Sequence, residues 1–196
     1  MLGQREVSNL LSRWKSIGHE IKDDGTELIG RAPHVASEAW MHYIFAPNNS
    51  IEFREKYQYL ISGFDHYYFS RIFNEINGIC LFSQNLFIFG NRTSYRRDGS
   101  VFQPWELDNG IWEGRELGVG DDVVVFGGSH TLPDGIFFAE TKAGEILAID
   151  RASPETPMFR WPDFDCFFEG EINRLSRLFD DNGRVLNRRA LSDFEL

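Results

Sequence analysis

Hydrophobic positions near the N-terminus recur at helical spacing. Val7, Leu10, Leu11, Trp14 and Ile17 fall three and four residues apart. That spacing predicts one amphipathic helix over residues 5–17, stopped by Gly18. In HEIKDDGTELIG, Asp24-Gly25 separates two short arms bearing apolar residues, the mark of a hairpin or loop. Residues 33–50 mix signals. Trp40, Met41, Tyr43, Ile44 and Phe45 fit a short helix or a strand before Pro47-Asn48-Asn49-Ser50 breaks the pattern.

Helical spacing returns over residues 51–61, with Phe53, Tyr57, Leu60 and Ile61 apolar and Ser50 placed to cap. It recurs over 65–76 through Phe69, Ile72, Phe73 and Ile76, and Asn77-Gly78 ends it. The period then shortens. Residues 79–82 and 86–89 are apolar runs around a turn, which reads as two strands, and 90–100 is a polar, basic loop. Pro104 opens a short helix that ends by Asn109-Gly110. Strands follow at 123–126, 135–140 and 145–150, the last two joined at Lys142-Ala143-Gly144, and another at 158–161 among prolines. Asp165 caps a final helix with Phe168, Ile172, Leu175, Leu178 and Phe179 on one face, and residues beyond Asp180 read as a polar tail.

Helices, then strands with short connections, then one helix predict an α+β fold. Its sheet is mainly antiparallel, with about five or six strands flanked by N-terminal and C-terminal helices. The organisation expected is a single domain in all: an N-terminal helix and variable extension (1–50), an α+β body (51–179) and a polar C-terminal tail (180–196). With 196 residues and 42% hydrophobic content the chain can build its own core.

Charge changes the picture more than composition does. Lys and Arg total 20 against 30 Asp and Glu, a formal charge of −10. Such a surface repels phosphate backbones, so nucleic acid is not an expected partner, whereas a basic protein would be steered in. The N-terminus lacks an apolar signal region and no apolar run is long enough for a bilayer, so a cytoplasmic protein without a membrane partner is expected. Cys80 and Cys166 sit in apolar stretches and read as reduced core residues.

Motifs for chemistry are absent. No phosphate-binding loop occurs, and Gly118, Gly120, Gly127 and Gly128 read as turn residues. Ser129-His130 has no nucleophile-elbow pattern, and His19, His34, His42 and His66 lack metal-ligand spacing. No catalytic residue, cofactor or metal is expected. A carboxylate-dependent hydrolase using Asp121, Asp122, Asp134, Asp163 or Asp165 stands as an alternative, since sequence alone gives no carboxylate separation.

One segment stands out. Residues 101–122 carry Glu106, Asp108, Glu113, Glu116, Asp121 and Asp122 against Arg115 alone, with Trp105 and Trp112 among them. Tryptophan within an acidic surface suits a protein interface, because it offers area that can be desolvated. A second acidic stretch holds Asp163, Asp165, Glu169 and Glu171, part of it complementing a helix N-terminus. The expected partner-binding residues are therefore Trp105, Glu106, Asp108, Trp112, Glu116, Asp121 and Asp122, with Asp163 and Asp165.

The order of pieces resembles the SUKH superfamily, especially its Smi/Knr-like branch. The resemblance rests on YYFSRIFNEINGICLF with Phe73, Asn77, Gly78 and Phe82, on LFIFGN ending in Gly90, and on PWELDNGIW with Pro104, Leu107 and Trp112. It continues through Phe126-Gly127, GIFFAET, EILAID, the 158–161 strand and the helix bearing Phe168. No Leu-Pro pair precedes the first family helix, and the N-terminal part is longer. The resemblance implies a non-enzymatic binding protein, an immunity protein neutralising a polymorphic toxin such as a nuclease, or else a signalling scaffold. Taken with the charge, the expected partner is a basic toxin domain, and the chain itself is expected to be a monomer or homodimer.

Overall fold

The computed structural model describes residues 3–35, 39–47, 55, 75–91, 104, 106–116, 118, 123–131 and 135–195. Among them is one antiparallel sheet of nine strands, so the fold is α+β. Its strands are β1 (His19–Ile21), β2 (Glu27–Arg31), β3 (Trp40–Ile44), β4 (Ile79–Leu81), β5 (Leu86–Ile88), β6 (Val123–Ser129), β7 (Ile136–Thr141), β8 (Ile146–Asp150) and β9 (Phe159–Trp161). Each strand pairs with its neighbour in sequence, from β1 to β9. Helices α1 (Gln4–Leu10), α2 (Leu107–Glu116) and α3 (Phe164–Leu178) and 3-10 helices at Ser12–Ile17 and Arg188–Ser192 complete the described elements.

Five or six strands were expected, and the three extra ones come from residues 19–44. The β1–β2 hairpin turns at Gly25, whose φ of +86° suits glycine, while Asp24 Oδ1 accepts from the Thr26 amide at 2.8 Å. The boundary drawn at residue 50 passes between strands that pair directly, Tyr43 with Cys80 and Ile44 with Ile79. The helices read over 51–61 and 65–76 lie outside the described residues apart from isolated positions.

The register lays out two faces. Ile44, Ile79, Ile88, Gly127, Phe138, Ala148 and Phe159 form one row, and Tyr43, Cys80, Phe87, Gly128, Phe137 and Ile149 form the row beside it. Most positions of β6, β7 and β8 are buried on both faces, which is why those strands read as unbroken apolar runs. Helix α3 covers the first face: Phe167 meets Phe126, Phe138 and Trp161 at ring separations of 4.8–5.6 Å. Phe126 has no opposite residue, because Val125 faces Ala139 while Gly127 faces Phe138. This bulge adds one residue to the strand there. Gly127 and Gly128 lie inside β6, not in turns as expected. A Cβ on Gly127 would stand 2.3 Å from Phe87 O, and one on Gly128 2.5 Å from Ile136 O.

Three helix assignments need correction. The N-terminal helix splits at Leu11, and the change to 3-10 pitch leaves Leu10 42% exposed while Val7, Leu11 and Trp14 are buried. Helix α2 does not stop at Asn109-Gly110 but runs to Glu116. A helical glycine costs only about 1 kcal/mol, and Leu107 in the first turn is fully buried. Helix α3 is capped by Asp163, whose Oδ1 accepts from the Cys166 amide at 2.7 Å; Asp165 is already in its first turn.

The polar tail is no tail. Phe179 bridges to Val185, Ala190 and Leu191 are buried, and Phe194 joins the Phe138–Trp161 cluster. Arg174 holds the segment to α3. It makes two hydrogen bonds to Glu171, at 2.9 and 2.8 Å, donates to the carbonyls of Ala190 and Asp193, and lies over the Phe194 ring. At the other end of the chain, Trp14 Nε1 donates to Asp180 O, and Arg13 donates to Ser176 O and Phe179 O and pairs with Asp181. The two termini are thus fastened together.

Candidate functional site

Helix α2 presents the acidic, tryptophan-bearing face. Its first turn is tied to β5 by the Leu107 amide donating to Gly90 O at 3.1 Å, and its body packs along β6. Buried Leu107 and Gly114 and partly buried Ile111 mark the inward side. Asp108, Trp112 and Glu116 are spaced by four residues, so they share a stripe of the helix. Trp112 is 56% exposed and Glu116 is exposed, with Asp108 half-buried one turn before the ring. Asp108 in the first turn agrees with the helix dipole. Glu116 in the last turn opposes it, so its position does nothing for the helix itself.

The other expected residues are distributed differently. Glu106 is only 8% exposed, next to a backbone bridge to Gly90, so it is not a surface charge on this stripe. Trp105, Asp121 and Asp122 lie outside the described residues. Asp163 is spent on capping α3, and Asp165 is half-buried in that helix's first turn. Cys166, expected in the core, is exposed; its thiol is pushed up by its hydrogen bond to Asp163 and the nearby acids. Burial pushes the Cys80 thiol up to about 12, which keeps it protonated and inert.

A polar cluster unforeseen in the sequence joins the N-terminal elements. Ser8 Oγ donates to Glu27 Oε1 at 2.6 Å, Lys15 Nζ lies 2.5 Å from Ser8 Oγ and 3.1 Å from Glu27, and His19 Nε2 lies 2.7 Å from the same carboxylate oxygen. Burial of Glu27 opposes ionisation, but these three partners outweigh it and hold its carboxyl below the ordinary value. A hydroxyl and a lysine in contact have the outline of a nucleophile and base. Here the Ser8 hydroxyl donates its hydrogen bond to the Glu27 carboxylate and not to the lysine, and Ser8 is 4% exposed. The cluster therefore clamps α1, the 3-10 helix, β1 and β2 together. Only the fold brings residues 8, 15, 19 and 27 together, and no spacing in the sequence signals it.

Further in, His42 is fully buried between Trp14 and Phe82, at ring distances of 5.0 and 4.8 Å. Its Nδ1 accepts from the Phe82 amide, while Nε2 has no hydrogen-bond partner. Desolvation lowers its pKa to about 3, so the ring is neutral. Phe82, Ser83 and Gln84 form a run of left-handed residues, with φ of 52°, 53° and 73°, fastened by Ser83 N to Met41 O and by His130 N to Gln84 O. The Ser129 hydroxyl donates to Thr131 Oγ1, and the His130 ring lies edge-on to Phe87. Glu140, 2% exposed, has its pKa raised to about 7 by burial.

Among the described residues no group of three or more His, Cys, Asp or Glu is placed to hold a metal, and no helix is long and apolar enough to cross a membrane. No protein-family model, curated protein or solved structure matches the chain.

Proposed function

We propose that the chain is a protein-binding module of the immunity type, and that the outer stripe of α2 engages a basic surface on a toxin domain. The observation that carries this reading is Trp112, 56% exposed on a stripe with a carboxylate one turn to either side. An exposed indole costs solubility unless something covers it, and tryptophan is enriched among residues that dominate interfaces. Glu116 stands where the helix dipole disfavours a negative charge. A net charge of −10 would steer a basic partner toward such a face. The SUKH-like order of segments supports the same reading.

The test uses a basic toxin domain encoded beside this chain, with protection from growth inhibition and binding kinetics as readouts. Trp112→Ala should speed dissociation about 30-fold, the scale of a central interface residue. Glu116→Lys should slow association at low salt and match the parent at high salt, while relieving the helix dipole. Protection unaffected by either substitution sinks the assignment to this face. Absence of protection by the parent chain sinks the immunity reading itself.

A further inference from the structure

A cleft of about 670 Å³ lies between the end of β2 and the turn that follows α3, lined by Ile17, Arg31, Pro33, His34, Asn182 and Arg184. Its volume is in the range of small-molecule sites. Among the described residues, every side chain with a charge or a strong dipole in this lining is a cation, an imidazole or an amide, and none is a carboxylate. In a chain at −10 that concentration runs against the overall composition.

Neither arginine is neutralised by a carboxylate among the described residues. Arg31 lies over the Trp40 ring at 4.3 Å and makes no ion pair or side-chain hydrogen bond among the described residues, and neither does the Arg184 guanidinium. Arg13, Arg160 and Arg174, by contrast, each pair with a carboxylate. Of the acids nearest Arg184 in sequence, one is tied into the turn's own backbone and the other pairs with Arg13. Asp180 Oδ1 accepts from the amides of Asn182 and Arg184, and Asp181 pairs with Arg13.

The turn presenting Asn182 and Arg184 is firmly built. The Asp180 amide donates to Arg184 O, and Gly183 takes a φ of +75° with its α-carbon so close to Met41 that a Cβ would meet the sulfur at 2.2 Å. Trp14 Nε1 fastens the turn from behind through Asp180 O. The backbone that carries Asn182 and Arg184 is therefore set before any ligand arrives, which lowers the cost of ordering the turn on binding.

We infer that this cleft binds a small organic phosphate, with Arg31 and Arg184 as the charged clamp. Two guanidiniums match a phosphate dianion, and the Asn182 amide and His34 ring add donors for the remaining oxygens. The cleft is larger than a bare phosphate needs, and Ile17 and Pro33 give apolar contact for the rest of the molecule. This inference is independent of the α2 face.

The test is titration calorimetry at constant ionic strength with inorganic phosphate, glycerol phosphate, adenosine monophosphate and citrate. Saturable binding of a phosphomonoester, tighter than inorganic phosphate and citrate, is expected. Arg31→Gln and Arg184→Gln should each weaken it about tenfold or more, since each removes a charge-assisted contact. Arg160→Gln, at the sheet edge, should not change it. Unchanged thermal unfolding would show that the Gln variants are folded, and Arg184→Lys should recover part of the affinity. Four results would each overturn the assignment: no saturable binding, citrate equal to the phosphates, a phosphomonoester no tighter than inorganic phosphate, or affinity indifferent to both arginines.

Discussion

Replacing Arg174 by methionine tests what holds the C-terminal segment in place. Arg174 and Glu171 are 4% and 1% exposed, and the guanidinium makes four hydrogen bonds, two to the carboxylate and two to carbonyls of residues 190 and 193. Removing one partner of a buried pair costs about 3–5 kcal/mol, because the other charge stays behind without compensation. That is a large share of a stability of about 5–15 kcal/mol. The cost should depend on pH. Burial already raises the Glu171 pKa, against the opposing pull of Arg174, and without the guanidinium it rises further. A carboxyl with a raised folded pKa contributes stability below its unfolded pKa and loses it as pH climbs through the folded value. The deficit of the variant should therefore be larger at pH 8 than at pH 5. Urea unfolding followed by tryptophan fluorescence measures it at both values. Hydrogen exchange should show residues 185–195 opening first. Adding Glu171→Leu should restore about 2 kcal/mol or more at pH 8, since it removes the stranded charge. A deficit below about 1 kcal/mol at pH 8, or one equal at both pH values, would refute the reasoning.

Two further substitutions probe the buried histidine and the left-handed turn. With a folded pKa of about 3 against an ordinary value of 6.5, His42 contributes stability above pH 6.5 that is lost as pH falls toward 3. His42→Asn, which keeps an acceptor for the Phe82 amide, should make the stability loss between pH 7 and pH 4 about 3 kcal/mol smaller; parallel pH profiles would contradict this. Gln84→Gly should raise the stability by about 0.5–1 kcal/mol, because the exposed Gln84 has φ +73° and glycine removes the left-handed penalty at some entropic cost. Thermal unfolding checks it, and a lower midpoint would count against strain at this turn.

The sequence displayed most clearly those elements whose partners are close in the chain. The pairs β4–β5 and β7–β8 and the amphipathic α3 announce themselves through period and turn residues, and the structure has them close to the expected places. What escaped depends on distant contacts. His19–Ile21 is a strand only because Glu27–Arg31 lies beside it. Ala190, Leu191 and Phe194 are too sparse to register as a core pattern, yet Arg174 and the Trp161 cluster fix them. For the proposed binding face, Asp108, Trp112 and Glu116 were visible as composition, but their common stripe required a helix running past Gly110. Glu106 was misplaced because charge counting ignores which way a side chain points. The Arg31–Arg184 cleft was invisible, since its two walls are about 150 residues apart in the chain.

Because the strands pair in chain order, β1 and β9 are the two borders of the sheet among the described residues, and there each offers backbone without a strand partner to a passing strand. Both are only three residues long. β9 sits between Pro157 and Pro162 and carries Arg160 at its centre, held by Glu145 at 2.6 Å. Proline cannot extend a ladder, and a charge at the centre of a border strand resists a neighbour. β1 is guarded by the Lys22–Glu20 pair but leaves Ile21 64% exposed. Self-association by strand addition should therefore begin at the β1 border, and Ile21→Lys is the change that would close it.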